Sequence, residues 1–245
     1  VNSSKNILLI GASGGLGKHF ALSLAKAGYN LALHYNVKED ELKSVLSQFD
    51  KLNVKFITYK ADITSEEDVR SLVEKVNRDF GSIDVLINNA GISLDGVSWK
   101  LELDSWNKVL AVNLTGPFLC IKNVLPLMKK NNWGRIINMS SVVSQIGVPG
   151  TAAYSVSKSG LIGLTRTVSK EVSKNNITIN TISLGYFKAG MLYRIPEDLR
   201  EQIKMTIPGK EFGEPEEIVS CILYLCGEHS RYITGQTINI NGGLY

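Results

Sequence analysis

The chain has 245 residues, 44% of them hydrophobic and 20% charged, with a formal net charge of +4. That balance excludes a disordered or fibrous chain and suits one large α/β layer structure spanning residues 1–245. The charge is modest and dispersed, so no nucleic-acid partner is expected. No apolar run approaches the ~18–20 residues that cross a bilayer, so no membrane association is expected. The first five residues lack the basic-then-apolar pattern of a secretory signal, and the cytoplasm is the expected compartment. Cys120, Cys221 and Cys226 form no CxxC pair and read as buried free thiols. His19, His34 and His229 show no ligand spacing, so no metal is expected.

In chain order, Asn6–Ile10 reads as a first strand and runs straight into Gly11-Ala-Ser-Gly-Gly15-Leu-Gly17, with a helix over Leu16–Ala27 behind it. Glycines let the backbone turn sharply and approach a pyrophosphate, and the helix start supplies N–H groups and a positive dipole end. Gly11, Ser13, Gly14, Gly15, Leu16 and Gly17 are therefore candidate dinucleotide contacts. A second strand, Leu31–His34, leads to Tyr35, Asn36 and Lys38 with no acid before Glu39. An acid at that strand end would bind the adenosine ribose hydroxyls and repel a 2′-phosphate. Its absence favours NADP(H), with Tyr35, Asn36 and Lys38 as contacts, and leaves NAD(H) open; Lys38 can equally be a solvated charge.

A helix over Glu39–Gln48 and a strand over Val54–Tyr59 follow. Asp62 and Ile63 stand just beyond, where the Asp62 carboxylate can accept from an adenine amino group or cap the next helix. That helix, Ser65–Phe80, opens on a serine cap followed by three acids. Strand Val85–Asn88 closes on Asn88-Asn-Ala-Gly91, a turn of paired amides and small residues that can pass close to a cofactor ribose at Asn89, Ala90 and Gly91 or simply end the strand. A long helix, Asp104–Lys130, carries Asn113 in an apolar setting, which reads as a kink with a satisfied amide and is compatible with holding a relay water. Strand Arg135–Met139 is followed directly by Ser140 and Ser141, and helix Ala152–Lys174 begins with Tyr154-Ser-Val-Ser-Lys158.

After strand Thr178–Ser183 the alternation breaks. From Gly185 to about Gly213 the chain carries two prolines, several charges and a short helical piece near Glu197–Met205, the mark of a substrate loop or lid at a strand's carboxyl end. Gly185 and Phe187 at its entry are candidate cofactor contacts. Helix Pro215–Cys226 and strand Thr237–Ile240 complete the chain. Repeated strand–helix–strand order predicts an α/β, single-domain, doubly wound (Rossmann) parallel sheet of about seven strands with helices on both faces.

Residues at i and i+4 share a helix face, so the Lys158 ammonium can sit below the Tyr154 phenol. A free tyrosine titrates near ~10, so proton exchange near neutrality asks the site to lower it by about three units. A neighbouring ammonium and a nicotinamide cation both favour the phenolate. A hydroxyl after the fifth strand can donate to a substrate oxygen as charge develops on it. Alone, a tyrosine four residues before a lysine is an ordinary surface pair; its setting makes it chemical.

Taken in order, the glycine turn, Asn88-Asn-Ala-Gly91, Asn113, Ser141 and Tyr154-x-x-x-Lys158 resemble the short-chain dehydrogenase/reductase family over essentially the whole chain. The resemblance implies that Tyr154 is the general acid in reduction, that Ser141 polarises the carbonyl, and that Lys158 binds the nicotinamide ribose and lowers the tyrosine pKa. It also implies that Asn113 anchors a proton-relay water. Ser141 is preferred to Ser140 because it stands thirteen positions before the tyrosine, as in the family. Within the family the chain is most similar to members that reduce 3-oxoacyl thioesters carried on acyl carrier protein or coenzyme A in fatty acid biosynthesis. Trp133-Gly-Arg-Ile-Ile-Asn-Met-Ser-Ser141, Pro215-Glu-Glu-Ile218 and Asn241-Gly-Gly243 carry that similarity, and sugar, polyol and steroid members share them. Lys129, Lys130 and Arg135 could meet an acidic carrier. The family usually forms dimers or tetramers through the helices expected over Asp104–Lys130 and Ala152–Lys174, so a homo-oligomer is expected.

Four positions depart from the family pattern. Ile10 replaces a threonine that braces the turn, and Gly14 an arginine common in NADP-dependent members. Leu184 replaces the proline before Gly185, which would leave the lid entry less rigid. Ala189 replaces a threonine at the nicotinamide carboxamide, leaving that contact to the backbone of Phe187. Besides a 3-oxoacyl thioester reductase, the residues admit a dehydrogenase of a sugar, polyol or other secondary alcohol, and a non-catalytic dinucleotide sensor or scaffold.

Overall fold

The computed structural model describes residues 5–49 and 51–245. The first four residues, part of the stretch read for a secretory signal, lie outside it. Seven strands form one parallel sheet: β1 (Asn6–Ile10), β2 (Asn30–Tyr35), β3 (Phe56–Lys60), β4 (Val85–Asn88), β5 (Gly134–Ser141), β6 (Ile177–Leu184) and β7 (Thr237–Ile240). Their order is β3-β2-β1-β4-β5-β6-β7, so the winding reverses between β1 and β4. A crevice opens there at the strands' carboxyl ends, the place where such sheets bind ligands.

Helices cover both faces of the apolar sheet. On one face Ile7, Leu9, Leu31, Leu33 and Ile87 pack with Phe20 and Leu24 of α1 (Gly15–Lys26) and Ile218 and Ile222 of α9 (Pro215–Cys226). On the other, Leu8, Ile10, Leu86 and Ile136 meet α3 (Glu66–Phe80), α5 (Gly116–Asn131) and α7 (Ala152–Val172). Adjacent residues of one strand thus feed opposite cores, as the two-residue period requires. Ser65 caps α3 by accepting from the Asp68 N–H, as its sequence predicts.

Three elements differ from expectation. The long helix over 104–130 is α4 (Leu103–Leu110) and α5 joined by a π turn over Ala111–Thr115. Pro117 has no N–H to return to the Asn113 carbonyl four residues earlier, so that carbonyl lacks its α-helical partner at the π turn. A short α6 (Val143–Ile146), which carries no strong sequence signal, connects β5 to the loop before α7. The third strand also starts two residues later than expected, at Phe56, after a backbone turn around Leu52 and Val54.

The expectation that no stretch matches a membrane span needs correction. The run Leu103–Lys130 is long and apolar enough by length and composition, because few charges interrupt it. It packs against α3, α7 and β5 as a core helix. The lid follows β6, with α8 (Glu197–Thr206) as its helix. Its two ends are tied: Lys188 N–H donates to the Gly213 carbonyl at 3.0 Å and Gly213 N–H to the Tyr186 carbonyl at 3.0 Å. Leu184 lies inside the sheet, paired with Ser141 and Ile240, so strand pairing holds the lid entry without the proline that the family resemblance led us to expect.

Candidate active site

The glycine turn is close-packed where side chains would interfere and open where a ligand would lie. Gly11 has φ +78°, and a Cβ on it would fall 2.7 Å from the Ala90 Cα. One on Gly15 would fall 2.2 Å from the Gly190 Cα, at the lid entry. Gly14 is exposed, and a Cβ there meets only the Gly11 carbonyl, at 3.4 Å. Helix α1 starts with no side-chain cap and no acid in its first turn, so no side chain competes for its N-terminal N–H groups. The Asn89 side chain donates to the Gly11 carbonyl at 2.9 Å, joining the Asn88–Gly91 turn to the glycine turn. This cradle suits a dinucleotide pyrophosphate.

Around the adenosine end the candidates divide. Asp62 Oδ1 accepts from the Thr64 N–H at 2.9 Å and its hydroxyl at 2.8 Å, closing a turn ahead of α3, whose cap is Ser65 and not Asp62; Oδ2 takes neither bond. The buried Ile63 packs on Gly116. Tyr35 is buried, its pKa raised by burial and by Glu39. Lys38, read as free or ligand-facing, pairs with Glu41, which Lys18 also reaches at 3.3 Å. Phe187 is buried in the core and its carbonyl accepts the Ala189 N–H at 2.6 Å.

The residues expected to transfer the proton converge. Lys158 is buried, and its Nζ donates to the Met139 carbonyl at 2.7 Å and lies 5.6 Å from the centre of the Tyr154 ring. Ser141 hydrogen-bonds to the Tyr154 phenol. The two serines have separate tasks: the buried Ser140 hydroxyl turns inward to the Lys158 carbonyl at 3.0 Å, which leaves Ser141 facing the phenol. Asn113, fully buried, exchanges two 2.8 Å bonds with the Ile92 backbone and donates to Ser157 at 3.1 Å. A Cβ on Gly91 would lie 3.3 Å from Lys158 Nζ and 3.5 Å from Asn113 Oδ1, so glycine there lets the turn close on these two side chains.

The protein's own groups do not lower the tyrosine. Burial pushes the Tyr154 phenol up to about 12; the Ser141 bond opposes this, and Asp95 and Tyr186 add to it. Burial also brings Lys158 down to about 8. In the protein alone desolvation sets the direction, and the lowering expected of the ammonium together with a nicotinamide cation stays an expectation for the loaded site. At neutral pH Tyr154 carries its proton, the form a general acid needs.

Several participants escaped sequence reading. The Met139 carbonyl, the Ile92 backbone and Ser157 act through bonds that no residue type signals. A buried chain runs from Asn88 to Asn138 at 2.8 Å, on to Thr165 at 2.9 Å and to Thr181 at 2.8 Å. It pins α7 to β4, β5 and β6. Arg135, proposed for a carrier surface, is 1% exposed, bonded to the carbonyls of Gly134 and Asn176. It cannot meet a partner. The three cysteines are free, with Cys120 and Cys226 buried and pushed up to about 12.

A doubly wound sheet, a glycine cradle at its switch point and a serine, tyrosine and lysine gathered beside it define a nicotinamide-dependent oxidoreductase. A family model described as Enoyl-(Acyl carrier protein) reductase matches residues 11–245, and the chain belongs to the short-chain dehydrogenase/reductase family, acting on CH–OH groups. It is 38% identical to a 3-oxoacyl-[acyl-carrier-protein] reductase of Staphylococcus epidermidis over 99% of both chains. It is also 38% identical to nodulation protein G of Azospirillum brasilense, over 99% of this chain and 98% of that one. A 3-oxoacyl-[acyl-carrier-protein] reductase of Thermotoga maritima is 38% identical over 98% and 97%.

Proposed function

We propose that the protein reduces a 3-oxoacyl thioester, carried on acyl carrier protein or coenzyme A, to the 3-hydroxyacyl form with NADP(H), as a cytoplasmic step of fatty acid biosynthesis. The observation that carries this is the convergence of Ser141, Tyr154 and Lys158 in a chain matched end to end by relatives named for that reaction. Exposed apolar side chains among the lid's charges support it: Met191, Tyr193, Leu199 and Met205 face solvent there and suit an acyl chain better than a sugar.

When bound, the nicotinamide supplies the hydride. The Ser141 hydroxyl donates to the carbonyl oxygen, and Tyr154 delivers its proton to that oxygen as charge builds. Lys158, held by the Met139 carbonyl, orients the ribose and offers the positive charge that stabilises the phenolate left behind. Asn113, anchored on Ile92, holds the relay water through which Tyr154 is reprotonated. Gly11, Ser13, Gly14, Gly15, Leu16 and Gly17 receive the pyrophosphate. Asp62, Ile63, Asn89, Ala90, Gly91, Gly185 and Phe187 line the rest of the cofactor path.

For NADP(H), the reading rests on the end of β2 lacking an acid and on Lys18 and Lys38, which share one glutamate, Glu41, beside it. Titration with NADPH and NADH tests this: equal affinities refute the preference. For assembly, Leu103, Phe118 and Val156 are exposed on α4, α5 and α7, which supports a homodimer or tetramer; light scattering of the purified protein reads it directly. Lys129 and Lys130 remain exposed at the end of α5 for an acidic carrier.

The substrate is tested by a panel of acetoacetyl-CoA, a 3-oxoacyl carrier thioester, an enoyl thioester, a simple ketose and a cyclic ketone. Turnover confined to the first two is expected. Failure on both with turnover of another member sinks the reading.

A further inference from the structure

His34 stands at the carboxyl end of β2, 2% exposed, with both ring nitrogens engaged. Gly11 N–H donates to its Nδ1 at 3.1 Å, and its Nε2 lies 3.0 Å from the Ala61 carbonyl. The backbone sets the tautomer. An amide N–H can only donate, so Nδ1 must be bare; a carbonyl can only accept, so Nε2 must carry the hydrogen. The ring thus bridges the first residue of the glycine turn to the chain just beyond β3, next to Asp62. Its own carbonyl accepts the Ala12 N–H at 2.8 Å, a second tie to the same turn. Ile10, the residue before the turn, brings no polar group of its own.

We infer that His34 is a positioning residue for the dinucleotide: its neutral Nε2–H form holds the glycine turn in binding shape and couples it to the adenosine side of the site, so that protonating the ring weakens cofactor binding. A protonated imidazole carries N–H on both nitrogens, and its Nδ1–H would face the Gly11 N–H, donor against donor. The brace would then open at the residue whose close approach to Ala90 shapes the turn. Burial lowers the ring's pKa from 6.5, while the Ala61 bond and the Asp62 charge oppose that shift. Asp62 is the charged group that faces the ring from the β3 side, and Asp68 of α3 is tied to it through the Asp62 N–H at 3.1 Å. The glycine turn contributes backbone alone, and Tyr35, next along β2, feeds the core on the opposite face.

The inference rests on the pyrophosphate lying at the Gly11–Gly17 turn, and the experiment separates the two. Dissociation constants for NADPH and NADH are measured by nucleotide fluorescence from pH 8 to pH 5 on the full chain, its His34→Asn and His34→Leu variants, and Gly14→Asp. The amide oxygen introduced by His34→Asn can still accept from the Gly11 N–H but does not titrate. Below the ring's pKa the unaltered chain should lose affinity by up to about tenfold per pH unit relative to His34→Asn; the titration of the cofactor's own phosphates cancels in that ratio. At pH 8, His34→Asn should bind within about threefold of the unaltered chain and His34→Leu about tenfold more weakly. Parallel pH curves for the unaltered chain and His34→Asn overturn the inference even if His34→Leu does not fold. Gly14→Asp adds a carboxylate at the open position of the turn and should weaken both cofactors at least about tenfold. If it does not, the placement of the dinucleotide falls, and the role of His34 with it. If it does while the two pH curves stay parallel, only the role of His34 falls.

Discussion

The β5–α7 region and the lid lie on either side of the same crevice and are built in opposite ways. In the first, Asn138, Thr165, Ser140, Lys158 and Asn113 are buried and bonded to one another or to backbone. In the second, Met191, Tyr193, Leu199 and Met205 face solvent, α8 buries no residue, and backbone bonds at Tyr186, Lys188 and Gly213 secure the base. Proton transfer needs donors fixed to a fraction of an ångström, whereas a surface that admits an acyl chain must adapt. Loss of a partner in the rigid half should therefore cost activity, whereas exchange of an exposed lid side chain should leave the fold unchanged.

The strongest break in that contrast is chemical. Tyr154→Phe removes the acid and keeps the packing, so kcat should fall about 10²–10⁴-fold while cofactor affinity, read by fluorescence titration, barely changes. Turnover within tenfold of the unaltered enzyme would remove Tyr154 from the mechanism. Next in size is Asn138→Leu, which strands the Asn88 amide and one bond of Thr165 in the core. It should cost about 2–4 kcal/mol in urea unfolding, with a drop in kcat as α7 loses its anchor. A loss below about 0.5 kcal/mol would show that the buried chain is not what holds α7.

Lys158→Met probes the cost of the site itself. Burial holds this lysine at about 8, below its ordinary 10.5, so the unfolded chain binds the proton more tightly than the folded one. Stability therefore carries a penalty below about pH 8 that is relieved as pH rises toward 10.5. The variant should be more stable at pH 7 by about 1–3 kcal/mol and nearly inactive, and the gap should close between those pH values. A variant less stable at pH 7 would contradict the burial penalty. The smallest effect belongs to the lid: Leu199→Ser with Met205→Ser should alter stability by under about 0.5 kcal/mol, yet raise KM for a long-chain 3-oxoacyl thioester more than for acetoacetyl-CoA. Equal KM changes would mean that these side chains do not meet the acyl chain.

Much of this molecule is local chemistry, and local chemistry is legible in a sequence. The seven strands follow from short β-rich runs, the cradle from glycines placed between a strand and a helix, and the Tyr154–Lys158 pair from the four-residue repeat of one helix face. Pro117 is plain in the sequence, but its consequence at Asn113 shows only in the π turn. What tertiary structure alone decided involves residues far apart in the chain. Ser140 turns to Lys158 and leaves Ser141 to the phenol; Arg135 is buried where a charge was expected outside; His34 joins Gly11 to Ala61. Burial likewise sets the direction of both pKa shifts in the protein alone, upward for the Tyr154 phenol and downward for the Lys158 ammonium. A sequence states which groups are present and how they repeat along the chain. Desolvation and hydrogen-bond partners depend on distances through space, and those exist only once the sheet has brought the strand ends together.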